Sequence, residues 1–200
     1  MKLNLGCGRQ VVDGWTNVDY SLGARLTKIP GFKALNRIFR FVNIEWDEHI
    51  YLHNLTKPFP WIDTSVDVIY SSHTLEHFTK GQGLFFLKEC YRCLREGGVI
   101  RILVPDLKWY VSEYMGGNIL ATDFLREIDV VNEEVGMFKK IFVAFPHQCM
   151  YDSKALVDIM NDIGFKEVGS RVAFESQIPD IALIELEGRT GHAVVVEAIK

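Results

Sequence analysis

The chain has 200 residues, 48% of them apolar and 24% charged, with 22 Lys and Arg against 26 Asp and Glu for a formal net charge of −4. A domain of this size buries around 70% of the surface its unfolded chain exposes, so neither disulfides nor a structural metal is needed, and the acidic balance argues against nucleic acid as the main partner. The four cysteines show no disulfide framework, the start MKLNLGCG reads as a strand rather than a leader, and no apolar run approaches about 20 residues, so a cytoplasmic protein without an integral membrane segment is expected.

The first strand pattern, Lys2 to Leu5, runs into Gly6-Cys7-Gly8. A second, Thr16 to Asp19, ends in a carboxylate eleven residues after Gly8. Backbone without Cβ approaches a ligand closely, and a carboxylate at the neighbouring strand end accepts both hydroxyls of a ribose, so this order points to a nucleoside site. Val11 stands where a dinucleotide fingerprint wants a third small residue, and there is no P-loop, so neither a dehydrogenase nor a kinase is favoured. Residues 21–50 exceed a plain βαβ connection; Phe32, Leu35, Ile38, Phe39 and Val42 form an apolar stripe, with Lys28, Lys33, Arg37 and Arg40 on a solvated or anion-facing side.

A third strand pattern, Val66 to Ser71, leads into Ser72-His73-Thr74-Leu75-Glu76-His77-Phe78. His-x-x-Glu-His is also the inverted zinc-peptidase signature, which needs a third ligand; His147, His192, Glu113 and Glu133 are the candidates. Here the motif begins at a strand end rather than mid-helix, so a capping and a packed histidine, or contact with a cofactor or substrate, are the competing readings. No metal ligand set is assigned. Leu84, Leu87, Tyr91 and Leu94 mark a helix over 82–94, closed by Arg95-Glu96-Gly97-Gly98, and Cys90 and Cys93 read as its core packing. After a strand at 99–104 and a second long connection over 107–150, a helix follows the N-cap Asp152 as far as Gly164. Strands at 167–174 and 193–199 complete an alternation that implies a mostly parallel α/β sheet with ligands beyond the carboxyl ends of its strands.

With LNLGCG, NVDY, Asn54-Leu55-Thr56-Lys57-Pro58-Phe59-Pro60, SVDVIYSSHTLEHF and LKECYRCLREGGVIRILVPDL in this order, the chain resembles class I S-adenosylmethionine-dependent methyltransferases, in particular short members of the type 11 branch. The likeness is specific over residues 1–106 and weaker beyond. It implies a single α/β domain over 1–200: a Rossmann-like fold with a mostly parallel seven-stranded sheet, a C-terminal antiparallel hairpin and helices on both faces. Segments 21–50 and 107–150 would form a lid or substrate region. It further implies S-adenosylmethionine as cofactor and S-adenosylhomocysteine as product. Carried over by position, Gly6, Cys7 and Gly8 line the methionine and ribose part, with Asn4 where the family commonly has an acid and Gln10 where it has a third glycine. Asp19 takes the ribose hydroxyls. Asn54 and Leu55 hold the adenine, the Asn54 amide oxygen accepting from the amino group, while Ser71, Ser72 and His73 close over the methionine end.

In-line transfer from a sulfonium needs proximity, alignment and, for a hydroxyl nucleophile, a base. His147 is the first candidate, with His73 and His77 next, since imidazole titrates near neutrality. The expected acceptor is a small molecule or sugar, glycan precursors included, methylated on oxygen; a homodimer is compatible with the sequence. Two other functions stay open. One is a catalytically inactive cofactor-binding partner subunit, suggested by Asn4 and Gln10; the other is a zinc hydrolase using His73, Glu76 and His77.

Overall fold

The computed structural model describes residues 1–32, 36–37, 46–128 and 146–200. Seven strands form one sheet: β1 (Lys2–Leu5), β2 (Thr16–Asp19), β3 (Tyr51–Leu52), β4 (Val66–Ser72), β5 (Leu94–Pro105), β6 (Lys166–Ser170) and β7 (Ala193–Ile199), in the order β3-β2-β1-β4-β5-β7-β6. The first five pair in parallel, and β7 runs antiparallel between β5 and β6. Strand order reverses between β1 and β4, which opens a crevice beyond their carboxyl ends.

The helices among the described residues are α1 (Leu22–Thr27), α2 (Lys80–Cys93), α3 (Leu107–Met115), α4 (Ala121–Glu127), α5 (Ser153–Ile163), α6 (Ile181–Ile184) and α7 (Glu187–Thr190), with a 3₁₀ turn at Leu75–His77. α2 starts two residues earlier than its apolar stripe predicts, because Thr79 and Gln82 form a reciprocal capping box. α5 matches expectation at both ends: the Asp152 carboxylate accepts from Ala155 N, and Gly164 ends the helix at φ 113°. The apolar faces of α2 and α5 put Phe86, Leu87, Cys90, Leu156 and Met160 against Leu3, Leu5, Ile69, Ile100 and Ile102 of the sheet, all buried. A smaller core on the other face gathers Trp15, Tyr70, Leu103, Ile178, Ile181 and Ile184. Cys90 and Cys93 are both in the larger core, and burial pushes both thiols up.

Three elements differ from the sequence pattern. β3, two residues long, is too short for an alternation to announce it. The segment Arg95–Gly98, expected to close the helix, already belongs to β5: α2 ends at Cys93, Leu94 turns extended and bridges Val66, and Gly97 takes φ +69°. β6 stops at Ser170 instead of continuing to Phe174, because the Arg101 guanidinium draws the Val172 and Glu175 carbonyls off the sheet edge (3.1 and 2.9 Å). Of the two long connections, α1 and Trp46 are described in the first and α3 and α4 in the second. Lys33, Leu35, Ile38, Phe39, Arg40, Val42 and Glu133 lie outside the described residues. Among the described residues no helix is long and apolar enough to cross a membrane.

Candidate active site

The loop after β1 is tied down by the backbone. Gly6 N and Cys7 N both donate to the Val18 carbonyl at 2.9 and 3.0 Å, which folds the loop over the end of β2. Gly6 sits at φ +73°, and a Cβ there would lie 2.0 Å from Thr74 Oγ1, so only glycine lets the loop close against the end of β4. Gly8 N donates to Asp19 Oδ2 at 2.9 Å, and Ser21 N donates to Asp19 Oδ1 at 2.7 Å. Two backbone donors therefore aim a nearly buried carboxylate while leaving it further lone pairs.

A cavity of about 570 Å³ opens above this loop. Of the residues expected to bind cofactor, Gly6, Gly8, Asp19, Asn54, Leu55 and His73 line it. The other four lie beneath. Asn4 Nδ2 donates to the Gln10 carbonyl and to Asn17 Oδ1 (3.1 and 3.0 Å), and Ser71 Oγ donates to the Leu5 carbonyl at 2.9 Å. Ser72 is buried. Cys7 packs with Ala24 and Ile50, where burial pushes its thiol up to about 12. Asn54 Oδ1 already accepts from Thr56 N and Thr56 Oγ1 at 3.0 and 2.8 Å, and since a backbone N–H only donates, the amide orientation is fixed with Nδ2 as its remaining polar group.

Toward β4 the wall carries His73, His77, Phe78, Gln82 and Gln148. His73, at φ 52°, has both ring nitrogens engaged: Nε2 lies 2.9 Å from the Arg189 carbonyl and Nδ1 3.4 Å from Glu76 Oε1. Burial disfavours its protonation, but the Glu76 carboxylate and the Arg189 carbonyl outweigh that and raise its pKa above the usual imidazole value. Glu76 is fully buried, and apart from the long approach of His73 Nδ1 to Oε1 neither carboxylate oxygen meets a donor. Its main-chain oxygen accepts from Gln148 N and Cys149 N (2.8 and 3.1 Å), and Gln148 Nε2 donates to the His77 carbonyl at 2.7 Å. These bonds bring His147 beside His77, with ring centroids 5.2 Å apart. One potential ligand atom from each of Glu76, His77 and His147 lies within 4.8 Å of the others. His73 is not part of that group, and His192 is stacked on Trp109 at 3.6 Å instead.

Sequence reasoning missed Arg189, Trp46, Gln82 and Gln148 as lining residues. Arg189 comes from α7, a helix of four residues whose pattern is too short to read. Trp46 is placed by Gly23, where a Cβ would sit 2.0 Å from the indole nitrogen.

A parallel sheet with a glycine loop after β1, an acid at the tip of β2 and a crevice at the strand-order reversal defines a nucleoside-binding α/β domain. The methyltransferase domain family of type 11 matches residues 3–102, half of the chain, and the protein belongs to that family. Solved structures agree in fold. A SAM dependent methyltransferase from Archaeoglobus fulgidus is 14% identical with a TM-score of 0.55, over 100% of this chain and 85% of its own. The 1,6-didemethyltoxoflavin-N1-methyltransferase of Burkholderia thailandensis, solved with S-adenosylhomocysteine, is 14% identical with a TM-score of 0.50, over 100% of this chain and 70% of its own. Among curated proteins none matches in sequence.

Proposed function

We propose that the protein is an S-adenosylmethionine-dependent methyltransferase that acts on a hydroxyl of a small molecule or sugar. The observation that carries this reading is the Asp19 carboxylate, aimed by Gly8 N and Ser21 N at one side of a cavity whose other side is formed by residues following β4. The residues fit the cofactor. At about 570 Å³ the cavity falls within the roughly 300–1,000 Å³ usual for cofactor sites, and glycines 6 and 8 keep its floor free of Cβ atoms. S-adenosylmethionine supplies a methyl group on a sulfonium.

Asp19 would accept the ribose hydroxyls. Asn54, presenting Nδ2, donates to a ring nitrogen of the adenine rather than accepting from its amino group. Arg189, the cation lining the cavity near Gly8, pairs with the methionine carboxylate. Asn4, Cys7, Ser71 and Ser72 act from below by holding the loop and strand ends that shape the floor. Displacement in line needs the acceptor oxygen fixed and its proton removed. The cluster of Glu76, His77 and His147, of which His77 lines the cavity, assists removal of that proton, whereas His73, with both nitrogens engaged, positions Glu76.

The alternative of an inactive partner subunit rested on Asn4 and Gln10. Both are structural: Asn4 joins the β1 loop to β2, and Gln10 Nε2 donates to the Ile184 carbonyl, so neither supplies a reason for lost turnover. Calorimetric titration with S-adenosylmethionine and S-adenosylhomocysteine, on the wild type and Asp19→Ala, tests the reading. Binding that weakens about tenfold or more in the variant supports it, in line with charge-assisted hydrogen bonds of roughly 1.5–3 kcal/mol. No binding of either ligand to the wild type overturns it. A panel of hydroxylated acceptors with isotopically labelled methyl donor then identifies the substrate.

A further inference from the structure

We propose that Glu76, His77 and His147 form a site for one divalent cation of zinc-like preference, facing the acceptor side of the cavity. The inference deepens the methyltransferase reading and, for its chemical role, rests on it. Four observations lead there. The donor set is two imidazoles and one carboxylate, the composition of zinc sites that keep a coordination position open for substrate. The donor atoms already lie within 4.8 Å of one another, and ligands at about 2.0–2.2 Å from a shared tetrahedral ion stand roughly 3.5 Å apart, so small rotamer adjustments close the shell. The carboxylate is fully buried and its oxygens have only the long ion-pair approach of His73 Nδ1 at 3.4 Å, an incomplete set of partners that a bound cation would complete. The bonds from Gln148 N and Cys149 N to the Glu76 carbonyl, and from the Gln148 side-chain Nε2 to the His77 carbonyl, hold two sequence-distant segments together in advance of binding.

The surroundings support the same assignment. His73 Nδ1 approaches Glu76 Oε1 while its Nε2 is held by the Arg189 carbonyl, which orients the carboxylate in the way partners of metal ligands do. Of the three ligands His77 lines the cavity, as does the neighbouring Gln148, so an ion at this site would lie at the cavity wall. Two imidazoles favour a first-row ion such as zinc over magnesium, which prefers oxygen donors. The ligand set also differs from the sequence motif, because His147 replaces His73. An acceptor hydroxyl entering the open position would lose its proton to solvent more easily, and its oxygen would then take the methyl group as the carbon–sulfur bond breaks with its electron pair left on sulfur.

The test uses the full chain after dialysis against chelator. Zinc is titrated calorimetrically into the wild type, Glu76→Gln, His147→Ala and the control His192→Ala, with magnesium as a second probe and cobalt absorption reporting coordination geometry. One zinc per chain, tetrahedral cobalt bands, and affinity about tenfold or more weaker in Glu76→Gln and His147→Ala but unchanged in His192→Ala would support the site. Absence of stoichiometric zinc binding, or equal affinity in all four proteins, would overturn it. Should Glu76→Gln not fold, His147→Ala decides the matter, since it leaves the buried carboxylate in place. S-adenosylmethionine titrated into the metal-free wild type separates the two readings: zinc binding without cofactor binding removes the methyltransferase and leaves the ion site, and cofactor binding without zinc binding does the reverse.

Discussion

Two buried ionic groups in this molecule have opposite fates. Arg101 on β5 is fully enclosed, and each of its five N–H donors has an acceptor: both oxygens of Glu185 at 2.9 and 3.0 Å, Glu197 Oε2 at 3.1 Å, and the Val172 and Glu175 carbonyls. The carboxylates are completed in turn by Phe174 N, Ser176 Oγ and Gln177 N. Glu76, equally enclosed, has only the His73 ring nitrogen, 3.4 Å from one of its oxygens. Asp19 stands between them, held by two backbone donors and open to the cavity. A satisfied buried charge fixes chain path; here it locks the crossing from β6 to α6. An incompletely satisfied one retains capacity for a ligand.

Removing Arg101 should have the largest effect, because Glu185 and Glu197 would remain buried without their cation. Arg101→Met is expected to lower stability by about 3–5 kcal/mol in urea unfolding. A loss below about 1 kcal/mol would mean that the network adds little, as exposed pairs do. At Asp19 the contrast is between binding and stability: Asp19→Ala should weaken S-adenosylmethionine by roughly 1.5–3 kcal/mol, measured by calorimetry, and change the urea midpoint less.

Glu76→Gln sharpens the comparison most directly. In metal-free protein its stability should change by less than about 2 kcal/mol, since the easier burial of a neutral amide is set against loss of the ion pair with His73. A clear fall in the urea midpoint would place Glu76 with Arg101 as a structural charge.

The smallest effect is expected at the partly exposed pair of Glu89 and Arg92. The Arg92 guanidinium, and Phe59 N, hold the Glu89 carboxyl below its ordinary value of 4.5. A depressed pKa contributes stability above that ordinary value, which is lost as pH falls through the lower folded-state value. Glu89→Gln should therefore cost under about 1 kcal/mol at pH 7, and its thermal midpoint should fall less steeply than the wild type's below pH 4.5. Parallel acid limbs for the two proteins would contradict the pairing.

Much of the frame is legible in sequence because its signals are local. β1, β2 and β7 have the predicted bounds, and Asp152 and Gly164 delimit α5 through their own side-chain and backbone preferences. The glycine loop and Asp19 are likewise readable, since they belong to neighbouring strand ends. Arg101 gave no such signal: one arginine in an apolar strand becomes buried only because Glu197 pairs opposite it and Glu185 folds back from a distant connection.

The cluster at β4 shows the same boundary. Sequence by itself determined that His73, Glu76 and His77 follow a strand end, and it proposed His147 as a catalytic partner for what lies there. Tertiary structure decided that His73 turns to the Arg189 carbonyl and that His147 comes to Glu76 and His77 instead. The reason is physical: strand and helix patterns arise from interactions within a few residues, whereas this grouping depends on main-chain bonds from Gln148 and Cys149 to Glu76, which form only when the sheet has folded.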